Sequence, residues 1–166
     1  MAKTGEPGDD ARPKVAPGAK FDPELRAVLE GGSSAWNRGD LDALLAMADP
    51  EFEFSPELDE AGRPMFPGLQ PVYRGHEDIR QHWDDWRSVF EGGVSVELIG
   101  VVYGTDCVVS LNRLRAEGRG GVTTEREIAS AIEARDGLVR RWRNFGLWED
   151  ALTALGLPTD LSPGPP

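Results

Sequence analysis

The sequence predicts an α+β fold, and three observations predict it. Three helical patterns come first in the chain. Four extended segments then fill residues 94–146, interrupted only by Gly104-Thr105-Asp106, the Gly118 to Gly121 run and Asp136-Gly137. A meander that long must curl, and the earlier helices are the only apolar material available to cover its concave face. The expected result is an open-mouthed architecture with a pocket, and at 166 residues with 39% hydrophobic side chains one domain accounts for the chain.

Each element has its own signal. Asp22-Pro23-Glu24 opens the first helix with a capping carboxylate, a proline at the first helical position and an acid in the first turn. Leu25, Val28, Leu29, Gly32 and Trp36 follow at helical spacing. Gly31 and Gly32 each disfavour a helix interior by about 1 kcal/mol relative to alanine. Gly32 falls on the apolar stripe, so either backbone or ligand approaches closely there or the segment breaks into two short helices. Gly39-Asp40 ends that helix and caps the next, whose Leu41, Leu44 and Leu45 share a face until Asp49-Pro50. Phe52 and Phe54 alternate with Glu51 and Glu53 as in a short half-buried strand.

Residues 55–70 read as a long loop, either the lid of a site or a plain surface excursion. Val72 and Tyr73 form a brief strand before Gly75. The third helix carries Ile79, Trp83, Trp86 and Phe90 on one stripe, with Glu77 and Asp78 in its first turn, and ends at Gly92-Gly93. The meander runs 94–103, 107–117, 122–135 and 138–146, its last turn an Asp-Gly hairpin signal. A short helix over 148–155 closes with Gly156 and Pro158. Residues 1–20 and 158–166 lack apolar runs and are expected to be disordered tails around a domain at 21–157.

Charge narrows the partners. Eighteen basic against 29 acidic residues, a net charge of −11, would repel a phosphate backbone, so neither nucleic acid nor an anionic membrane surface is an expected partner. Arg140, Arg141 and Arg143 sit in a strand that splits them between two faces. The N-terminal stretch has no signal-peptide core and no spanning length, which predicts a cytoplasmic protein. Cys107 is the only cysteine and cannot build a metal site with the two distant histidines, so no metal and no cofactor are expected.

Four sequence runs, Asn37-Arg38-Gly39-Asp40-Leu41-Asp42-Ala43-Leu44, Tyr73-Arg74-Gly75-His76-Glu77-Asp78-Ile79, Arg135-Asp136-Gly137-Leu138-Val139 and Ala151-Leu152-Thr153-Ala154-Leu155-Gly156-Leu157, together resemble the SnoaL-like family of the nuclear-transport-factor-2-like superfamily. The resemblance covers roughly residues 22–157. It implies an α+β cone, with a strongly bent mixed or antiparallel sheet around a deep pocket, three N-terminal helices over it and a short C-terminal helix, as a homodimer packed through the sheet's outer face. That superfamily includes ketosteroid isomerases, polyketide cyclases and limonene-epoxide hydrolases. Compared with the isomerases, the oxyanion-hole tyrosine falls at Gly32, the base at Pro56 and the second acid near Ala129, which disfavours that reaction. Many relatives carry an aspartate where this chain has Leu147.

The comparison turns Ala129 inward, and with it Glu125, Glu127, Ala131 and Glu133 by strand alternation, as well as Arg140, Trp142 and Asn144. Glu127 would then act as general acid or base, or else it faces solvent and pairs with arginine. Asn144 would position a water or a carbonyl oxygen. Tyr73 would donate a hydrogen bond at the mouth, or only pack a strand edge. Trp36, Phe54, Trp83, Trp86 and Trp142 form an apolar wall that serves as core and pocket lining together, suited to a flat or polycyclic guest. His76 and His82 read as solvent-facing or flanking residues. Two functions follow: a cofactor-independent cyclase, isomerase or hydrolase acting on a hydrophobic metabolite, or a non-catalytic ligand-binding or accessory dimerisation module.

Overall fold

The computed structural model describes residues 12–90 and 93–166. Helix α1 (Pro23–Arg38) begins where the Asp22 side chain accepts from the Glu24 N–H at 2.8 Å, and it ends at Gly39, whose left-handed backbone closes the last turn. It runs unbroken through Gly31 and Gly32. A Cβ at Gly31 would stand 3.3 Å from the Met47 sulfur, a close approach that favours glycine there, whereas one at Gly32 would meet the Met47 methyl at 3.9 Å, an ordinary contact. Asp40 caps α2 (Leu41–Ala46) through the Ala43 N–H at 3.0 Å.

Strand β1 (Ala48–Ser55) buries Phe52 and Phe54, and β2 (Tyr73–Arg74) pairs with it antiparallel. Helix α3 (Gly75–Val89) follows; its expected terminus at Gly92 lies outside the described residues. Then come β3 (Val94–Tyr103), β4 (Cys107–Glu117), β5 (Thr123–Arg135) and β6 (Leu138–Phe145), and finally α4 (Trp148–Ala154). The Asp136-Gly137 turn has positive φ at both residues, as a two-residue hairpin of this twist requires.

The six strands lie in the order β2-β1-β6-β5-β4-β3, mixed because β1 runs parallel to β6 while the other neighbours are antiparallel. Register shifts between Leu98 and Gly100 on β3, and opposite Glu133-Ala134 where Arg140 is the extra residue on β6, are bulges that add local twist and bend. Helices α1 to α3 cover the inner face, where Leu25, Leu29, Phe52, Val101, Val108 and Ile132 share one buried cluster. Helix α4 covers the outer face: Ala151 and Leu152, both fully buried, pack on Val109, Ala129 and Ala131.

The terminal stretches differ from expectation. Residues 1–11 lie outside the described residues, but the Tyr103 N–H donates to the Lys14 carbonyl at 2.9 Å and the Ala16 N–H to the Tyr103 carbonyl at 2.8 Å. Val101 and Gly164 exchange two backbone hydrogen bonds at 3.0 and 2.9 Å, and the Trp148 indole donates to the Leu161 carbonyl at 2.6 Å. Composition predicted disorder because these segments own little apolar surface. The edge of β3 offers them unpaired backbone groups instead, and that pairing holds them.

Candidate functional site

A cavity of about 160 Å³ lies between the inner face of the sheet and helices α1 and α3, lined at its α2 end by Leu44 and Met47. Apolar walls come from alternation on the strands and from the 3.6-residue repeat on the helices. Trp36 projects from α1, Trp86 from α3, Phe54 from β1 and Trp142 from β6, and all four line the cavity. Trp83 does not. It packs edge-on against Trp36, with ring centroids 4.9 Å apart, and so stands behind the wall.

His82 was expected on a flank, and the structure buries it in the wall. Ile79, His82 and Trp86 stand at i, i+3 and i+7 on α3 and all face the cavity, a spacing as good as the Ile79, Trp83, Trp86 series that the aromatics suggested. The ring lies 4.4 Å from Phe54 and 4.6 Å from Tyr73, and its Nδ1 has no hydrogen-bond partner among the described residues. Burial pushes the imidazole down from 6.5 to about 3, against a smaller opposite pull from Asp85. At neutral pH His82 is therefore uncharged. His76 is half-buried, one ring nitrogen 3.0 Å from the Ala48 carbonyl, and ties the start of α3 to β1.

Tyr73 is not at the mouth. It is fully buried behind His82, where its hydroxyl accepts from the Gln70 N–H at 2.8 Å and donates to Asp85 at 2.9 Å. Burial, with Asp85 adding to it, raises the phenol to about 12. Its polar capacity is spent on holding the 56–72 loop to α3. That loop also packs Leu69 and Phe66 against Trp86, Leu114 and Ile128, and Arg126 latches it through Glu57 at 2.7 Å. Three of those contacts line the cavity, so the loop backs its wall.

Glu127 points the other way from the expectation. Its side chain is half exposed on the outer face and lies 3.5 Å from Arg113, which also meets Glu97 at 3.2 Å and Glu125 at 3.7 Å. The inner residues of β5 are Ile128, Ser130 and Ile132, one position out of step with the predicted set. A one-residue slip moves every side chain of a strand to the opposite face. Arg140, the bulge residue, also leaves the cavity and approaches Asp49 and Glu51 at 4.0 Å.

Asn144 and Trp142 line the cavity, where they join a polar set from β4 and β5. The Trp142 indole donates to Asn144 Oδ1 at 2.9 Å, and the Ser130 hydroxyl donates to the same oxygen at 2.8 Å. Asn112 Nδ2 donates to Ser110 at 2.9 Å and to Ser130 at 3.3 Å. The cross-strand pairs Ser110 with Ser130 and Ser130 with Asn144 place these side chains on one face. Among the described residues no group of three or more His, Cys, Asp or Glu could hold a metal ion. The Cys107 thiol is buried on the outer side, and burial raises its pKa.

The SnoaL-like domain model matches residues 29–142, more than half of the chain. The chain belongs to the SnoaL-like domain family. Solved structures share its fold at low identity. TerC, co-crystallised with polyporic acid, superposes with a TM-score of 0.65 at 18% identity over 74% of this chain and 90% of that one. An NTF2-like protein of unknown function from Burkholderia pseudomallei gives 0.66 at 13% identity over 80% and 97%. Rv0760c from Mycobacterium tuberculosis, in complex with estradiol-17β-hemisuccinate, gives 0.61 at 15% identity over 74% and 93%. Comparison with curated protein sequences finds no match. Among the described residues no helix is long and apolar enough to cross a membrane.

Proposed function

We propose that this SnoaL-like protein binds a compact, uncharged, mainly apolar small molecule and releases it unchanged. One observation carries the reading: among the described residues no Asp, Glu, Lys or Arg lines the cavity, and the single titratable side chain among them that does, His82, is held neutral. Burying an ionised ligand group with no counter-charge would cost several kcal/mol, so such a wall selects against charge. The volume is close to the ~150 Å³ that takes up benzene in an engineered apolar cavity, which narrows the guest from a polycycle to about one ring inside, with any extension at the mouth. Relatives of the same fold crystallised with polyporic acid or a steroid ester support small-molecule binding in general.

Titration followed by tryptophan fluorescence, with benzyl alcohol against benzoate, tests the reading. We expect the alcohol to bind and the anion to bind at least about ten-fold more weakly; equal affinities would sink it. The second reading, a cofactor-independent cyclase, isomerase or hydrolase, is favoured by His82 and Asn144, which present neutral polar groups from the helix wall and the sheet wall of one cavity. Chromatography and NMR of the alcohol after incubation separate the two: recovery of unaltered ligand alone supports binding, and a new product, an isomer included, supports catalysis. A homodimer and a cytoplasmic location belong to the same proposal. The dimer's interface would comprise α4 and the outer ion pairs, since α4 already covers the apolar middle of that face, and a solution mass of 18.1 kDa rather than twice that value would remove it.

A further inference from the structure

The polar set on the sheet wall has only one hydrogen assignment. An indole N–H can donate and cannot accept, so the Asn144 atom that Trp142 meets is the carbonyl oxygen. That oxygen can only accept, so the Ser130 hydroxyl spends its hydrogen on it. Ser130 must then accept from Asn112, which fixes the Asn112 amide with its NH₂ toward Ser130 and Ser110. Both hydrogens of that NH₂ are used. Two amide ends are left over: the NH₂ of Asn144, a donor, and the carbonyl oxygen of Asn112, an acceptor. Neither has a partner among the described residues, and both residues line the cavity.

These ends are also held in place. Asn112 is 6% exposed and Ser130 2%, and the two amides are joined through one hydroxyl on adjacent strands, so neither can turn over without breaking the chain of bonds back to Trp142. Each of these amide ends therefore has hydrogen-bonding capacity that the described residues do not use. A ligand in the cavity that meets both takes up that capacity. Ser33 and His82 aside, the rest of the lining is aromatic and aliphatic and offers such a ligand only apolar contact.

We infer that Asn144 and Asn112 form a donor and acceptor pair that reads a hydroxyl group on a ring-sized apolar ligand, the hydroxyl oxygen accepting from Asn144 while its hydrogen is donated to Asn112. This rests on the binding function proposed above and names its ligand class. A methyl ether can accept but not donate, and a methyl group can do neither. The wild-type cavity therefore ranks three molecules of similar shape: p-cresol first, 4-methylanisole second and p-xylene last.

Calorimetric or fluorescence titration of the wild-type protein with those three molecules tests it, and no variant is needed. The expected spread between p-cresol and p-xylene is about ten-fold, the worth of two net hydrogen bonds. Binding of all three with equal affinity overturns the inference and leaves the apolar pocket standing. Binding of cresol and anisole alike, both above xylene, overturns the acceptor half and so the pair. Binding of none overturns the pocket reading and this inference with it. Asn144→Asp keeps an oxygen for Trp142 and Ser130 but loses the donor, so 4-methylanisole, which can only accept, should fall to the level of p-xylene while cresol still donates its hydrogen; an undiminished preference for anisole over xylene in the folded variant would also refute the pair.

Discussion

The two faces of the sheet bury similar apolar residues and treat polar ones in opposite ways. On the inner face Asn112, Ser130 and Asn144 are uncharged and bonded to one another beside a cavity. On the outer face Glu97, Glu125 and Glu127 gather around Arg113 in contact with water, and α4 seals the apolar centre at Ala129 and Ala131. Charge sits where solvent can support it, and only neutral hydrogen-bonding groups go where solvent is scarce. The difference teaches that the acidic character of the chain says nothing about the chemistry of its pocket.

That contrast can be broken most severely from outside. Leu152 is fully buried between α4 and the sheet, so Leu152→Ala should lower unfolding free energy by about 3 kcal/mol in a denaturant titration, with the ligand ranking of the inner face preserved. A loss under 1 kcal/mol would mean that α4 adds little to the outer face. The inner face should respond to acid. His82 has a folded pKa depressed below its unfolded value, so the unfolded chain binds the extra proton first. The stability held by the neutral ring is complete above about pH 6.5 and is lost as pH falls toward about 3. Between pH 6.5 and 4.5 the wild type should lose ~2 kcal/mol more than His82→Phe, read by parallel denaturation curves. Identical slopes would place His82 in solvent. The smallest effect is expected at Glu127, where Glu127→Gln should change stability by less than about 0.5 kcal/mol and leave ligand affinity untouched, because both partners of its ion pair are well exposed.

Element order, capping and turns were legible because each has a local cause: Asp22 before Pro23, Asp40 after Gly39, Asp136 before Gly137. The phase of β5 was not. A strand covered on one face shows alternation, but here Ala129 and Ala131 are buried under α4 while Ile128, Ser130 and Ile132 are buried under the helices. With both faces dry, a period of two carries no sign. Trp142 and Asn144 escaped that ambiguity because Arg141 and Arg143, between and beyond them, mark the wet side. His82 was legible in principle from its spacing to Ile79 and Trp86, but Trp83 beside it outweighed it as an apolar signal. The hydroxyl and amide chain was out of reach, since Ser110, Asn112, Ser130 and Asn144 come from three strands whose register no local pattern sets.

The pinned terminal stretches have a further consequence. Lys14 to Ala16 and Gly164 occupy the Val101–Tyr103 end of the β3 edge, and the opposite border is a strand of only two residues, so among the described residues the part of the sheet border left for a foreign strand is shortened at both sides. Pairing of a second copy along this end of β3 would first require one of these straps to peel away.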